Sequence, residues 1–210
     1  MLTRMQSPFA RVPAIAIAAV LLTIPLGGCA GFGGGGSGGS GSIISESTGR
    51  ELRLDLPRRA TVVQDNNTAD VYLTDLSQDT LDRIAAGESG PDISGTLVQV
   101  HIFLNPTPGK TPIEPTAANA TARVIVVARG NVGVYDSAGF LLAGKSLDKN
   151  RAAGTLRNAR ARLTRSTDGF QDLLGAATLE LSFSARPDQP TSDSIARVIR
   201  ILTAAAAPLD

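Results

Sequence analysis

The 210-residue chain has no tryptophan, two tyrosines, one histidine and one cysteine. A lone cysteine excludes an internal disulfide framework and any metal site built from several thiolates. A lone histidine excludes a two-histidine metal centre. Aromatic residues make up 4% of the chain, barely enough to fill a core. That scarcity argues against the stacking platforms used to bind sugars or single-stranded nucleic acid. With 20 Lys+Arg against 19 Asp+Glu the formal charge is +1, so no overall basicity points to nucleic acid. Glycine is plentiful but unevenly placed, since 10 of the 22 lie within residues 27–42. The rest of the chain has an ordinary glycine content.

What is present begins at the N-terminus. Arg4 and Arg11 are the only charged residues before the glycine tract, and an apolar run, VPAIAIAAVLLTIPL, follows over Val12–Leu26. Pro13 and Pro25 interrupt it, so it falls short of the roughly 20 apolar residues that span a bilayer. A basic start, a short apolar stretch and small residues after it are the pattern of a secretory signal peptide. The segment ends Leu26-Gly27-Gly28-Cys29. This resembles the lipobox of bacterial lipoproteins, with Leu at −3, small residues at −2 and −1, and then the cysteine. The resemblance covers residues 1–29 only. It implies a diacylglyceryl group on the Cys29 sulfur and cleavage between Gly28 and Cys29 by the lipoprotein-processing enzymes. It also implies membrane attachment, and Ala30 in place of aspartate favours the outer membrane where there are two. A buried free thiol or an uncleaved anchor would be the structural alternatives. Loss of Arg4 and Arg11 would take the formal charge from +1 to −1.

Residues 29–42 then read as the lipidated cysteine plus a Gly/Ser-rich tether. Its 30–42 portion, AGFGGGGSGGSGS, buries too little apolar surface to offset the entropy of ordering. As a flexible chain it would span roughly 20 Å.

Residues 43–210 suit one β-rich globular domain. Period-two alternation marks strands at 52–56 and 96–104, 121–128 reads as a largely buried strand, and 61–63, 69–76, 155–164 and 177–185 are further strand candidates. Val132–Tyr135 and Phe140–Leu142, separated by Asp136-Ser137-Ala138-Gly139, read as a hairpin. DGFQDLLG at 168–175 could hold one helical turn. Ser77 is placed to cap a helix over 78–86. Ile195, Val198, Ile199 and Leu202 follow helical spacing within 193–206, although that segment is β-branched enough for a final strand. The expected fold is mostly β: an antiparallel β-sandwich or partly open barrel with one or two short helices.

Chemistry-bearing patterns are sparse. His101 sits mid-strand, and no Gly-x-Ser-x-Gly is present to give a nucleophile elbow. A satisfied or surface histidine is the preferred reading. Asp65–Asp70 (DNNTAD) lacks the glycine and terminal glutamate of a calcium loop and reads as a strand connector. The sequons at Asn66 and Asn119 carry little weight behind a bacterial signal. The four prolines within residues 105–116 suit a long crossover. No spacing among the carboxylates singles out an acid/base pair, so a carboxylate hydrolase is the lesser alternative. Neither a cofactor nor a catalytic or metal-ligating set is expected.

Charge is nevertheless segregated. Residues 65–92 carry a net −6 and residues 145–165 a net +6. Arg157, Arg160, Arg162 and Arg165 form the candidate contact for an anionic surface, worth about 1 kcal/mol per basic residue near lipid headgroups. Arginines that keep a sheet soluble are the structural alternative. The expected function is a lipid-anchored envelope protein with a non-catalytic binding or structural domain. Its partners would be an envelope protein, a delivered ligand or anionic lipid.

Overall fold

The computed structural model describes residues 39–105, 118–143 and 150–209. Its strands are β1 (Gly39–Ser45), β2 (Glu51–Leu56), β3 (Arg58–Val63), β4 (Ala69–Thr74), β5 (Gly95–Ile102), β6 (Ala120–Ala128), β7 (Asn131–Ala143), β8 (Ala152–Ser166), β9 (Ala177–Ala185) and β10 (Ala207–Pro208). Helix α1 (Gln78–Ala85) joins β4 to β5, and α2 (Gln189–Ala205) follows β9.

All the strands belong to one antiparallel sheet, ordered β2-β1-β9-β8-β7-β6-β5-β4-β3, with β10 paired to β8. The two edge strands, β2 and β3, are separated in the chain by Pro57 alone, so the sheet curls into a nearly closed barrel. The segment after β9 covers the β3 edge, where Thr61 N–H donates to Arg186 C=O at 3.1 Å and Thr61 bridges Pro187. An edge guarded in this way offers fewer unpaired backbone groups for aggregation.

Strand alternation creates two cores. Inward-facing Ile43, Leu56, Leu73, Val100, Val124, Leu156, Leu179 and Leu181 fill the barrel, with Tyr135 and Phe183 among them. A barrel of this size has an interior that side chains occupy. The second core lies outside, where Leu97, Ile125, Val127, Val132 and Val134 of the sheet meet Leu81 and Ile84 of α1 and Ile195, Val198, Ile199 and Leu202 of α2. Burial of each large aliphatic residue contributes on the order of 2 kcal/mol, which selects the helix over the alternative strand for 193–206. The helix starts earlier than expected. Asp188 caps it by accepting from Thr191 N–H at 3.1 Å, and Pro190 suits the first turn because its missing N–H would have no helical partner. Ser77 caps α1 as expected, accepting from Thr80 N–H.

Three local expectations are corrected. Residues 132–142 are one strand rather than a hairpin, because 136–139 pair with β6 on one side and 136–138 with β8 on the other. Gly139 is there for close packing, since a Cβ would sit 2.6 Å from that of Ala159. The true turn is Arg129-Gly130, with φ of 51° and 79°, the left-handed pair that a two-residue hairpin requires. Residues 168–175 form turns and bends instead of a helical turn, because Asp172 accepts from the N–H groups of Leu174 and Gly175.

The third correction concerns the segment read as tether, whose Gly39–Ser42 belong to β1. Gly39 pairs with Leu56 of β2, and Ser40–Ser42 pair with both β2 and β9, Gly41 lying opposite Leu54 and Leu181. A Cβ on Gly41 would lie 2.0 Å from Glu180 O. Glycine is used here for close strand approach, and ladder hydrogen bonds on both sides offset its ordering entropy.

Candidate functional site

Gly28 and Cys29 lie outside the described residues, as do 106–117 of the proline-rich loop and Lys145 and Lys149 of the basic segment. Among the described residues no helix is long and apolar enough to cross a membrane. Arg157, Arg160 and Arg162 are exposed on the outer face of β8. Residues 157 and 160 would face opposite ways in a regular strand, but a bulge between Leu156 and Ala159 restores their common side. Asn158, with φ of 50°, supplies the extra residue.

Arg165 departs from this strip. A second irregularity opposite Val134/Tyr135 turns it toward α2, where its Nε donates to Thr203 C=O at 3.1 Å and Ala206 C=O at 3.0 Å. The last turn of α2 carries no basic residue of its own. Arg165 thus supplies, from the sheet, the positive charge that a helix C-terminus favours.

Beside this contact, α2 leaves part of the outer sheet face uncovered, and a groove of about 520 Å³ runs between them. Ala196, Ile199, Arg200, Thr203 and Ala204 line its helical wall. These positions follow i, i+3, i+4, i+7 and i+8, one continuous face of the helix. The opposite wall comes from β4, β5, β6 and β8: Tyr72, Gln99, Arg123 and Arg165. Three arginines and no carboxylate line the groove. Burial, reinforced by Asp70, raises the Tyr72 pKa while Arg200 acts in the opposite direction, so the phenol is a neutral donor at physiological pH.

A smaller depression of about 370 Å³ shares Gln99 and Arg123 and extends to His101, Thr121 and Asp136. Arg123 Nε donates to Asp136 Oδ1 at 2.8 Å, and Thr164 Oγ1 donates to Asp136 Oδ2 at 2.8 Å. Asp70 is similarly occupied. It accepts from Gln64 at 2.9 Å and Gln99 at 3.2 Å and meets His101 Nδ1 at 3.0 Å. Both carboxylates are thus hydrogen-bonded locally, and Asp136 is ion-paired with Arg123.

No family model, curated protein or solved structure matches the chain. The His101–Asp70 contact fixes one ring nitrogen, as in a base dyad, but among the described residues no hydroxyl hydrogen-bonds the other. The ring also lies on an open face, with its side chain 41% exposed. Among the described residues no group of three or more His, Cys, Asp and Glu is placed to hold a metal ion. The DNNTAD segment is the β3–β4 connector. Asp65 accepts from the N–H groups of Asn67 and Thr68, and these backbone bonds pull its carboxyl below the usual range. Asn119 is buried, with its amide paired to both backbone groups of Leu141.

The acidic run is likewise dispersed. Asp75 accepts from Thr96 N–H, Asp79 lies in the first turn of α1, and Glu88 and Asp92 flank Arg83. The groove residues come from five elements distant in sequence. Only the helical spacing around Arg200 signals any of them, and nothing in the sequence pairs that face with Tyr72 or Arg123.

Proposed function

We propose that this chain is a lipid-anchored protein of a bacterial envelope whose barrel domain acts by binding, without catalysis. The observation that carries the anchor is the ordered N-terminal set of Arg4 and Arg11, the Val12–Leu26 run and Leu26-Gly27-Gly28-Cys29. The Cys29 thiol takes the diacylglyceryl group, and cleavage after Gly28 leaves it as the first residue. Two or three acyl chains hold a protein stably at about 0.8 kcal/mol per buried methylene, where a single chain is marginal. A binding role is supported by a groove in which Arg165 and Arg200 have no carboxylate partner among the described residues, beside a histidine whose second ring nitrogen meets no hydroxyl among them. In this reading the domain holds or hands on a ligand next to the membrane.

Replacement Cys29→Ser is expected to abolish incorporation of radioactive palmitate and to leave the chain at its uncut size. Persistent labelling would overturn the anchor.

A contact with anionic lipid is favoured by one further observation. Arg157, Arg160 and Arg162 share an exposed face, and none has an ion-pair partner among the described residues. Replacing Arg160 and Arg162 with alanine should weaken co-sedimentation with anionic vesicles. Weak, unchanged co-sedimentation would remove that contact.

A further inference from the structure

We propose that the groove between α2 and the outer sheet face is a binding site for a phosphate group, carried as a phosphomonoester or a lipid headgroup. The proposal deepens the reading of the domain as a binding module and is independent of the lipid anchor. Arg123, Arg165 and Arg200 reach the groove from β6, β8 and α2, and its lining contains no carboxylate.

Two of the three guanidinium groups are held in advance. Arg123 Nε is fixed on Asp136, and Arg165 Nε is fixed on the carbonyls of Thr203 and Ala206. A guanidinium has five N–H donors, so each keeps terminal N–H groups to offer. Arg200 is exposed and has no carboxylate partner among the described residues. Its charge lowers the free energy of any anion entering between it and Arg123. Arg123 shares its charge with Asp136 through Nε and Nη2, which leaves Arg165 and Arg200 as the two lining guanidinium groups without a carboxylate partner among the described residues. That matches a dianionic phosphate better than a carboxylate, and planar N–H forks suit phosphate oxygens. Tyr72 and Gln99 add neutral polar groups. Ile199, Ala196 and Ala204 supply an apolar wall against which the organic part of an ester can lie.

The test is titration of the full chain in maltoside micelles at constant ionic strength, read by the arginine side-chain N–H signals. Inorganic phosphate and phenyl phosphate are the two soluble probes. Both should give saturable shifts at Arg123, Arg165 and Arg200, with phenyl phosphate binding more tightly because of the apolar wall. Arg200→Ala should weaken both about tenfold, the loss of one charge-assisted contact. Arg197→Ala, on the exposed side of the same helix, should change neither.

Vesicles of phosphatidic acid or phosphatidylglycerol form the second arm. Binding that falls with Arg200→Ala assigns the headgroup as a source of the phosphate. Binding that falls only with Arg160→Ala and Arg162→Ala places anion recognition on β8 and overturns the groove. Linear shifts spread over all arginines, or saturable shifts indifferent to Arg200, overturn it as well. Turnover of phenyl phosphate would instead contradict the non-catalytic reading while leaving the groove in place.

Discussion

Tyr135→Phe isolates one bond that closes an end of the barrel. Tyr135 is 1% exposed, and its hydroxyl donates to Asp172 Oδ1 at 2.7 Å. Its ring packs edge-on to Phe170, with centroids 6.4 Å apart. Phenylalanine keeps that packing and removes only the donor. Hydrogen bonds to charged acceptors contribute about 1.5–3 kcal/mol. Asp172 is largely exposed and retains the N–H groups of Leu174 and Gly175, so the lower end applies, about 1.5 kcal/mol at neutral pH. For a domain of this size that is a melting shift of roughly 3–6 °C.

The pH dependence follows from the two pKa shifts. Burial of Asp172 works against its ionisation, but the Tyr135 hydroxyl and the two backbone N–H groups outweigh it and hold the carboxyl below its ordinary value. A depressed carboxylate contributes stability that is present above the unfolded pKa and is lost as pH falls through the folded one. Burial, then the bond to Asp172, pushes the Tyr135 phenol well above its ordinary value. A raised phenol contributes stability that is present below the unfolded pKa and is lost as pH rises toward the folded one. The gap between wild type and variant should therefore be widest near neutrality. It should narrow in acid below about pH 4 and in alkali above about pH 10. Urea unfolding followed by far-ultraviolet circular dichroism is the suitable assay, because the chain has no tryptophan and the variant removes one of two tyrosines. A gap below about 0.5 kcal/mol at neutral pH, or one that does not vary with pH, would refute the reasoning.

Other substitutions test the frame around the groove. Gly41→Ala forces a Cβ against Glu180 O and should destabilise by about 3 kcal/mol in chemical unfolding; a silent change would return this residue to the spacer. Gly130→Val meets both a left-handed φ of 79° and the Gly90 carbonyl 2.7 Å from its Cβ. It should cost about 2–3 kcal/mol by the same assay, and a loss under about 0.5 kcal/mol would contradict the turn assignment. Asp188→Ala removes the cap of α2 at a cost of about 1 kcal/mol. Hydrogen exchange should then rise first at the start of that helix, and uniform exchange would argue against local capping.

The strands were legible wherever one face is buried and the other wet, as in β9, whose 177–185 bounds the alternation gives directly. Ser77 was readable because a cap is a local hydrogen bond. Readings failed where a residue serves a distant neighbour. Asp136-Ser137-Ala138-Gly139 has turn composition, yet Asp136 answers Arg123 and Gly139 makes room for Ala159. Gly39 and Gly41 have linker composition, but their missing side chains admit the neighbouring strand and Leu73. Arg165 has the same sequence signature as Arg157, Arg160 and Arg162, and only the bulge at Thr164 sends it to the end of α2. The groove depends on how a helix at 189–205 crosses β4, β5, β6 and β8, and periodicity holds no record of that crossing.

Intact mass measurement of the protein purified from a bacterial membrane fraction tests the proposed lipid on Cys29. The predicted result is a chain beginning at Cys29, its mass raised by a diacylglyceryl group and, in organisms with the full pathway, by one further acyl chain. A chain that retains Met1–Gly28, or begins elsewhere with an unmodified cysteine, would contradict it.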